Sequence, residues 1–113
     1  MQIEERRVGE VTILALAGKL TVADGHVLLK ERVGALIRGG HKKLLLNLSE
    51  VPYVDSAGLG EVVRAYIAVN QQGGKLKLLG VARRIRDLLA LTKLLTVLEV
   101  FETEQDALDS FSS

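Results

Sequence analysis

The sequence predicts an α/β domain with a mixed β-sheet and the element order ββαβαβαβα. Three observations carry this. Strand-like and helix-periodic segments alternate along most of the chain. The first two strand-like runs are joined by a two-residue Gly-X turn, the mark of an antiparallel hairpin. The central run "KLLLNLS" is apolar without alternation, as expected of a strand buried on both faces. Such an order implies a mostly parallel sheet with right-handed crossovers after the opening hairpin. Whether helices cover one face or both stays open at this level.

Taken in order, Ile3 to Val8 forms the first strand, Gly9-Glu10 the turn and "VTILALAG" the second strand. The loop "GKLTVADG", Gly18 to Gly25, offers several helix caps. Leu29, Val33, Leu36 and Ile37 then recur at helical spacing, in a helix that runs to about Arg38 and stops at Gly39-Gly40. After the leucine-rich third strand, Leu59, Val62, Val63, Tyr66 and Ile67 mark a second helix that closes at Gly73-Gly74. "KLKLLG" alternates lysine and leucine, which predicts a strand with lysines outward on a wetter face. A third helix starts near Ala82 with Ile85, Leu88 and Leu89 on one side. "TVLEVF" reads as a short last strand. "TEQD", Thr103 to Asp106, matches a capping box and opens a closing helix anchored by Leu108 and Phe111.

The 113 residues form a single domain, residues 1–113, with room for one core. Hydrophobic residues make up 48% and charged residues 26%, an ordinary globular balance. Aromatics are only 4%, so the core is aliphatic and a base-stacking platform is not expected. A net charge of +1 argues against strong attraction to nucleic acid or anionic membrane. Without cysteine there is no disulfide or thiolate chemistry, which suits a reducing cytoplasm. The opening "MQIEERRVGE" is charged and lacks the apolar segment of a signal peptide. No apolar run approaches the roughly 20 residues of a membrane span. The expected location is cytoplasmic.

The segment "VDSAGLG", Val54 to Gly60, joins the leucine-rich strand to the second helix and sets a hydroxyl between an acid and a run of small residues. As a nucleophile elbow, G-x-S-x-G, it fails: β-branched Val54 stands at the first glycine position. The two histidines, His26 and His41, come with no recognisable orienting acid and no metal-like constellation. Neither enzyme activity nor a cofactor is expected. The segment is not a phosphate-cradling loop either, since it matches no glycine-rich nucleotide motif and Asp55 would repel phosphate. Asp55 and Ser56 are both good helix caps, worth about 1 kcal/mol. Capping leaves unexplained the run Ala57-Gly58-Leu59-Gly60, because glycine in a helix costs about 1 kcal/mol against alanine. A glycine-containing helix start points to close approach by another backbone or by a partner.

"VPYVDSAGLGEVVRAY" resembles the signature of the STAS domain, and in particular of the stand-alone bacterial anti-sigma factor antagonists. The resemblance extends over nearly the whole chain. Gly18-Lys19-Leu20-Thr21 fits the loop after the second strand, "LLLNLSEV" the central strand, and "GGKLKLLGVARRIRDLLALT" the glycine turn, fourth strand and third helix. The fold it implies is the one read from the pattern. The function it implies is partner switching. The unmodified protein binds an anti-sigma factor that is itself a serine kinase, and so releases a sigma factor. Phosphorylation of the serine after the aspartate, here Ser56, ends the binding, and a serine phosphatase restores it. Asp55, Ser56, Ala57, Gly58, Leu59, Gly60, Lys19 and Thr21 are then the expected partner-binding residues, with Gly58 and Gly60 admitting a partner loop. The alternative within the family is a subunit of a stressosome-like or lipid-transport complex.

Three positions depart from the family pattern. Lys19 and Thr21 occupy places where relatives often carry acids, and Lys93 stands where a glycine often follows the third helix. Thr21 reads first as a helix cap and second as another phosphoacceptor. "ARRIRD" reads as a solvated helix face with local Arg-Asp pairing, or as contacts from Arg83, Arg84 or Arg86 to an acidic partner. Asn47 is placed to bind the loop backbone or Asp55. Tyr53 is expected half-buried, with partner contact as a second reading, and "LLALTKLLTVL" is expected to be mostly core, with an exposed patch at Leu94 or Leu95 as the alternative.

Overall fold

The computed structural model describes residues 1–112. Two strands, β1 (Gln2–Val8) and β2 (Val11–Ala17), form the opening hairpin. Then follow α1 (His26–Arg38), β3 (Lys43–Glu50), α2 (Ser56–Gln71), β4 (Lys75–Leu79), α3 (Arg83–Leu91), β5 (Val100–Phe101) and α4 (Glu104–Phe111). The five-stranded sheet has the order β1-β2-β3-β4-β5. β1 and β2 pair antiparallel with Val8 opposite Val11 across the Gly9-Glu10 turn, and every other pairing is parallel. Gly9 adopts φ 60, as a tight hairpin turn requires. The mixed α/β architecture read from the sequence is the observed one.

The strand alternation sorts side chains to two faces of the sheet. Leu14 and Leu16 of β2, Leu44, Leu46 and Leu48 of β3, and Leu76 and Leu78 of β4 meet the apolar stripes of α1, α2 and α3. Those stripes are Leu29, Val33 and Leu36; Val62, Ala65 and Val69; and Ile85 and Leu89. On the opposite face Val11, Ile13, Leu45 and Leu79 meet only α4, through Ala107 and Phe111. Helices thus cover both faces. Three successive leucines of β3, Leu44 to Leu46, are fully buried because each face has its own cover.

Two expectations are corrected on this frame. The segment "TVLEVF" is not one strand: Leu94–Thr96 forms a 3-10 turn and only Val100–Phe101 pairs with β4. Lys93, at φ 63, is the sole non-glycine residue with positive φ among those described, and it turns the chain before the sheet is reached. Lys77 does not face water. It is buried beneath α4, where its Nζ donates to Ser110 O (3.1 Å) and Ser110 Oγ (2.9 Å) and lies 4.8 Å from the Phe111 ring centre. A covered lysine needs such partners, because an unpaired buried charge is costly. Leu94 and Leu95 are half-buried against the core, and the exposed apolar residues of that region are Leu91 and Val97.

Candidate functional site

The site lies where β2 and β3 run out at the same edge of the sheet. Their parallel pairing continues into the two loops beyond them. The Gly18 N–H donates to Glu50 O (3.0 Å), the Leu20 N–H to Tyr53 O (3.0 Å) and the Asp55 N–H to Leu20 O (3.2 Å). The loop after β2 is therefore held beside the start of α2 by backbone bonds, with Leu20 fully buried beneath it.

Asp55 closes this junction. It is the N-cap of α2: its Oδ1 accepts the Gly58 N–H (2.8 Å), meeting one of the orphan donors of the first turn. Its Oδ2 accepts the Val22 N–H (2.9 Å) from the neighbouring loop. One carboxylate thus fixes both the helix start and the loop across from it. The Val22 N–H, and after it the Gly58 N–H, hold the Asp55 carboxyl below its ordinary value of 3.8, with smaller help from the Ala57 N–H and the charge of His26. Desolvation opposes this and is outweighed. Asp55 is accordingly ionised at neutral pH.

Ser56 is the first residue of α2. It is exposed, and its side chain has no hydrogen-bond partner among the described residues. Gly58 is buried, and its reason for being glycine is internal. A Cβ there would stand 1.9 Å from the Leu20 carbonyl oxygen. The expectation that Gly58 admits a partner loop is corrected: the backbone that comes close is the chain's own. Gly60 is exposed with open space around its would-be Cβ. Ala57 and Leu59 are half-buried, Leu59 packing on the core.

Lys19 is exposed, in the loop beside the junction. Thr21 is no helix cap, because Gly25 holds that position before α1. Its Oγ1 accepts the Asp24 N–H (3.1 Å) and ties the 21–24 turn. Tyr53 is 44% exposed, about half-buried as expected. Asn47 does not reach Asp55; its Oδ1 accepts the Ser49 N–H (3.0 Å) and the Ser49 hydroxyl. Arg83, Arg84 and Arg86 are exposed, and the local Arg-Asp pairing is absent among the described residues.

Two exposed residues escaped the sequence reading. Val22, 67% exposed, and Val27, 53% exposed, join Tyr53 as large apolar side chains open to solvent on the elements that frame Ser56. Isolated valines in a loop and a first helical turn carry no periodic signal, and only the fold ties Val22 to Asp55, the residue before the serine. Among the described residues no three His, Cys, Asp or Glu side chains come together in a metal-holding group. No helix is long and apolar enough to cross a membrane.

The chain is similar over most of its length to several characterised proteins. It is 27% identical over 108 residues to the anti-sigma F factor antagonist of Paenibacillus polymyxa, covering 96% of this chain and 92% of that one. Its fold matches a candidate anti-sigma factor antagonist of Thermotoga maritima with a TM-score of 0.92 at 24% identity, over 98% and 95% of the two chains. It also matches the anti-sigma factor antagonist SpoIIAA in its unphosphorylated form, with a TM-score of 0.78 at 18% identity over 99% of both chains. The phosphorylated form of the Bacillus protein matches with a TM-score of 0.76 at 20% identity, over 96% and 98%. At such identities the structural likenesses speak for the fold. The STAS domain pattern matches residues 2–107, and the chain belongs to the STAS domain family.

Proposed function

We propose that the protein is an anti-sigma factor antagonist whose docking face is switched by phosphorylation of Ser56. In its unmodified form it binds an anti-sigma factor that is also an ATP-dependent serine kinase, which frees a sigma factor. Phosphate on Ser56 ends that complex, and a serine phosphatase renews it. The observation that carries the reading is the exposed, unpartnered Ser56 at the first position of α2, beside the ionised Asp55. The names of the relatives support the partner class.

A phosphate on Ser56 meets two environments. A phosphoserine brings a charge of about −1.5 to −2 and three acceptor oxygens. In the free protein it sits at a helix start, whose unpaired N–H groups and dipole favour an anion, so the fold is retained. In a complex the same group is driven against a partner surface beside the fixed charge of Asp55, adding repulsion and desolvation. A penalty of about 3 kcal/mol lowers affinity roughly a hundredfold. Val22, Val27 and Tyr53 supply apolar area for contact around the serine.

The test is incubation with the candidate kinase and ATP, followed by mass spectrometry and calorimetry. One phosphate on Ser56 is expected. Ser56→Asp keeps the fold and loses binding, whereas Ser56→Ala binds and stays bound in the presence of ATP. If both variants bind the kinase as the parent does, the switch is refuted.

A further inference from the structure

We propose that the groove between α1 and α2 is a second part of the docking face and receives a basic side chain of the protein partner on Glu61. The groove measures about 680 Å³ and is open because small residues, Gly34 on α1 and Ala65 and Ala68 on α2, line the helix contact. Glu61 lies in its wall and is only 5% exposed. No hydrogen bond or ion pair to Glu61 exists among the described residues, although Lys30 and Arg64 line the same groove. No described side-chain oxygen is both sealed from solvent and unpaired, so the carboxylate keeps its hydration through the groove mouth.

A carboxylate that reaches solvent only through the groove and has no protein partner is free to take a charge-assisted hydrogen bond from a guanidinium or ammonium group entering there. A metal ion fits poorly, since among the described residues no three His, Cys, Asp or Glu side chains gather to hold one, whereas a single carboxylate suffices for a guanidinium or ammonium group. Lys30, Arg38 and Arg64, which line the groove, favour acidic residues on either side of the incoming base. The fitting occupant is thus a protein segment with an arginine or lysine flanked by acids. The groove adjoins the switch through His26, which lines it together with Val27 and acts electrostatically on Asp55. Glu61 is five residues beyond Ser56, roughly 7.5 Å along the helix. The inference rests on the partner-binding reading above for the identity of the partner.

The experiment uses two probes on the whole chain. In an amide NMR titration, the tripeptide acetyl-Asp-Arg-Asp-amide shifts the signals of Gly34, Glu61 and Ala65 in the parent and leaves them unmoved in Glu61→Gln. No shift in the parent, or equal shifts in both, overturns the proposal. In calorimetry, Glu61→Gln binds the anti-sigma factor at least tenfold more weakly while melting no lower than the parent. Affinity within twofold of the parent overturns it, as does a lowered melting temperature that accounts for the loss. Ser56→Asp separates the two readings, because it abolishes binding of the anti-sigma factor yet leaves the peptide titration intact. Should the parent fail to bind the anti-sigma factor, the functional reading falls and the titration alone decides the groove.

Discussion

α2 and α3 leave adjacent parallel strands at the same edge of the sheet, yet they are secured in opposite ways. α2 begins on a side-chain cap, Asp55, and its C-terminal turn passes through Gly73 at φ 77, a conformation glycine adopts freely. α3 begins on Ala82 with no side-chain cap, carries arginines at 83, 84 and 86 in its first turn, and is followed by Lys93 at φ 63. Cations near a helix start oppose the dipole, and a left-handed lysine is strained. α3 is held by its buried stripe, Ile85 and Leu89, and at its C-terminus by the Thr92 hydroxyl, which donates to Leu88 O (2.8 Å) and Leu89 O (3.2 Å); only its start goes without a side-chain cap. The helix that carries the exposed serine is thus the one whose start is fixed most firmly. The phosphoacceptor role proposed for Ser56 calls for presentation in one geometry, and Asp55 supplies that by tying loop and helix together.

The largest effect expected from breaking this contrast comes from Gly58. Gly58→Ala places a methyl group against the Leu20 carbonyl and forces the loop away, destabilising the fold by about 3 kcal/mol or more in urea unfolding. Gly60→Ala, in open space on the same helix, is stabilising by up to about 1 kcal/mol in the same measurement. Equal losses at both positions would mean that helix propensity, and not the loop contact, governs the junction.

Asp55→Asn comes next, because asparagine still caps but carries no charge. The folded-state carboxyl titrates below its ordinary 3.8. Its contribution to stability is therefore fully present above that value and is lost as pH falls through the lower folded value. Melting curves from pH 7 downward should show the parent ahead of Asp55→Asn at neutral pH, with the gap closing below about pH 4. A gap independent of pH would assign the effect to shape alone.

The smallest effects repair α3. Lys93→Gly removes the left-handed strain and is expected to add about 1 kcal/mol. Ala82→Ser supplies the missing cap and is expected to add about 0.5 kcal/mol. Both are read as raised midpoints in denaturant, and neither alters phosphorylation of Ser56. If Ala82→Ser gains nothing, the first turn of α3 is satisfied by solvent.

Where the sequence pattern was local, it was legible. The hairpin turn at Gly9-Glu10, the uninterrupted leucines of β3 and the cap at Asp55 each depend on neighbours within a few positions. The same reasoning misread Lys77, since a lysine-leucine alternation describes an outward face only if nothing covers it, and α4 arrives some thirty residues later. It overextended the last strand, because β-prone Thr96, Val97 and Leu98 are diverted by the turn at Lys93. For Gly58 it left another backbone or a partner open, and the nearby backbone is that of the loop at Leu20, 38 positions earlier.

The order of elements and the acid-serine-glycine junction were determined by the sequence alone, because periodicity and capping act over one or two turns of chain. Only the tertiary structure decided which polar residues end under cover and which apolar ones stay in the open. That outcome hangs on which distant segments pack together: exposed Val22 is tied to Asp55, Lys77 disappears under α4, and Glu61 lies in the α1–α2 groove without a protein partner.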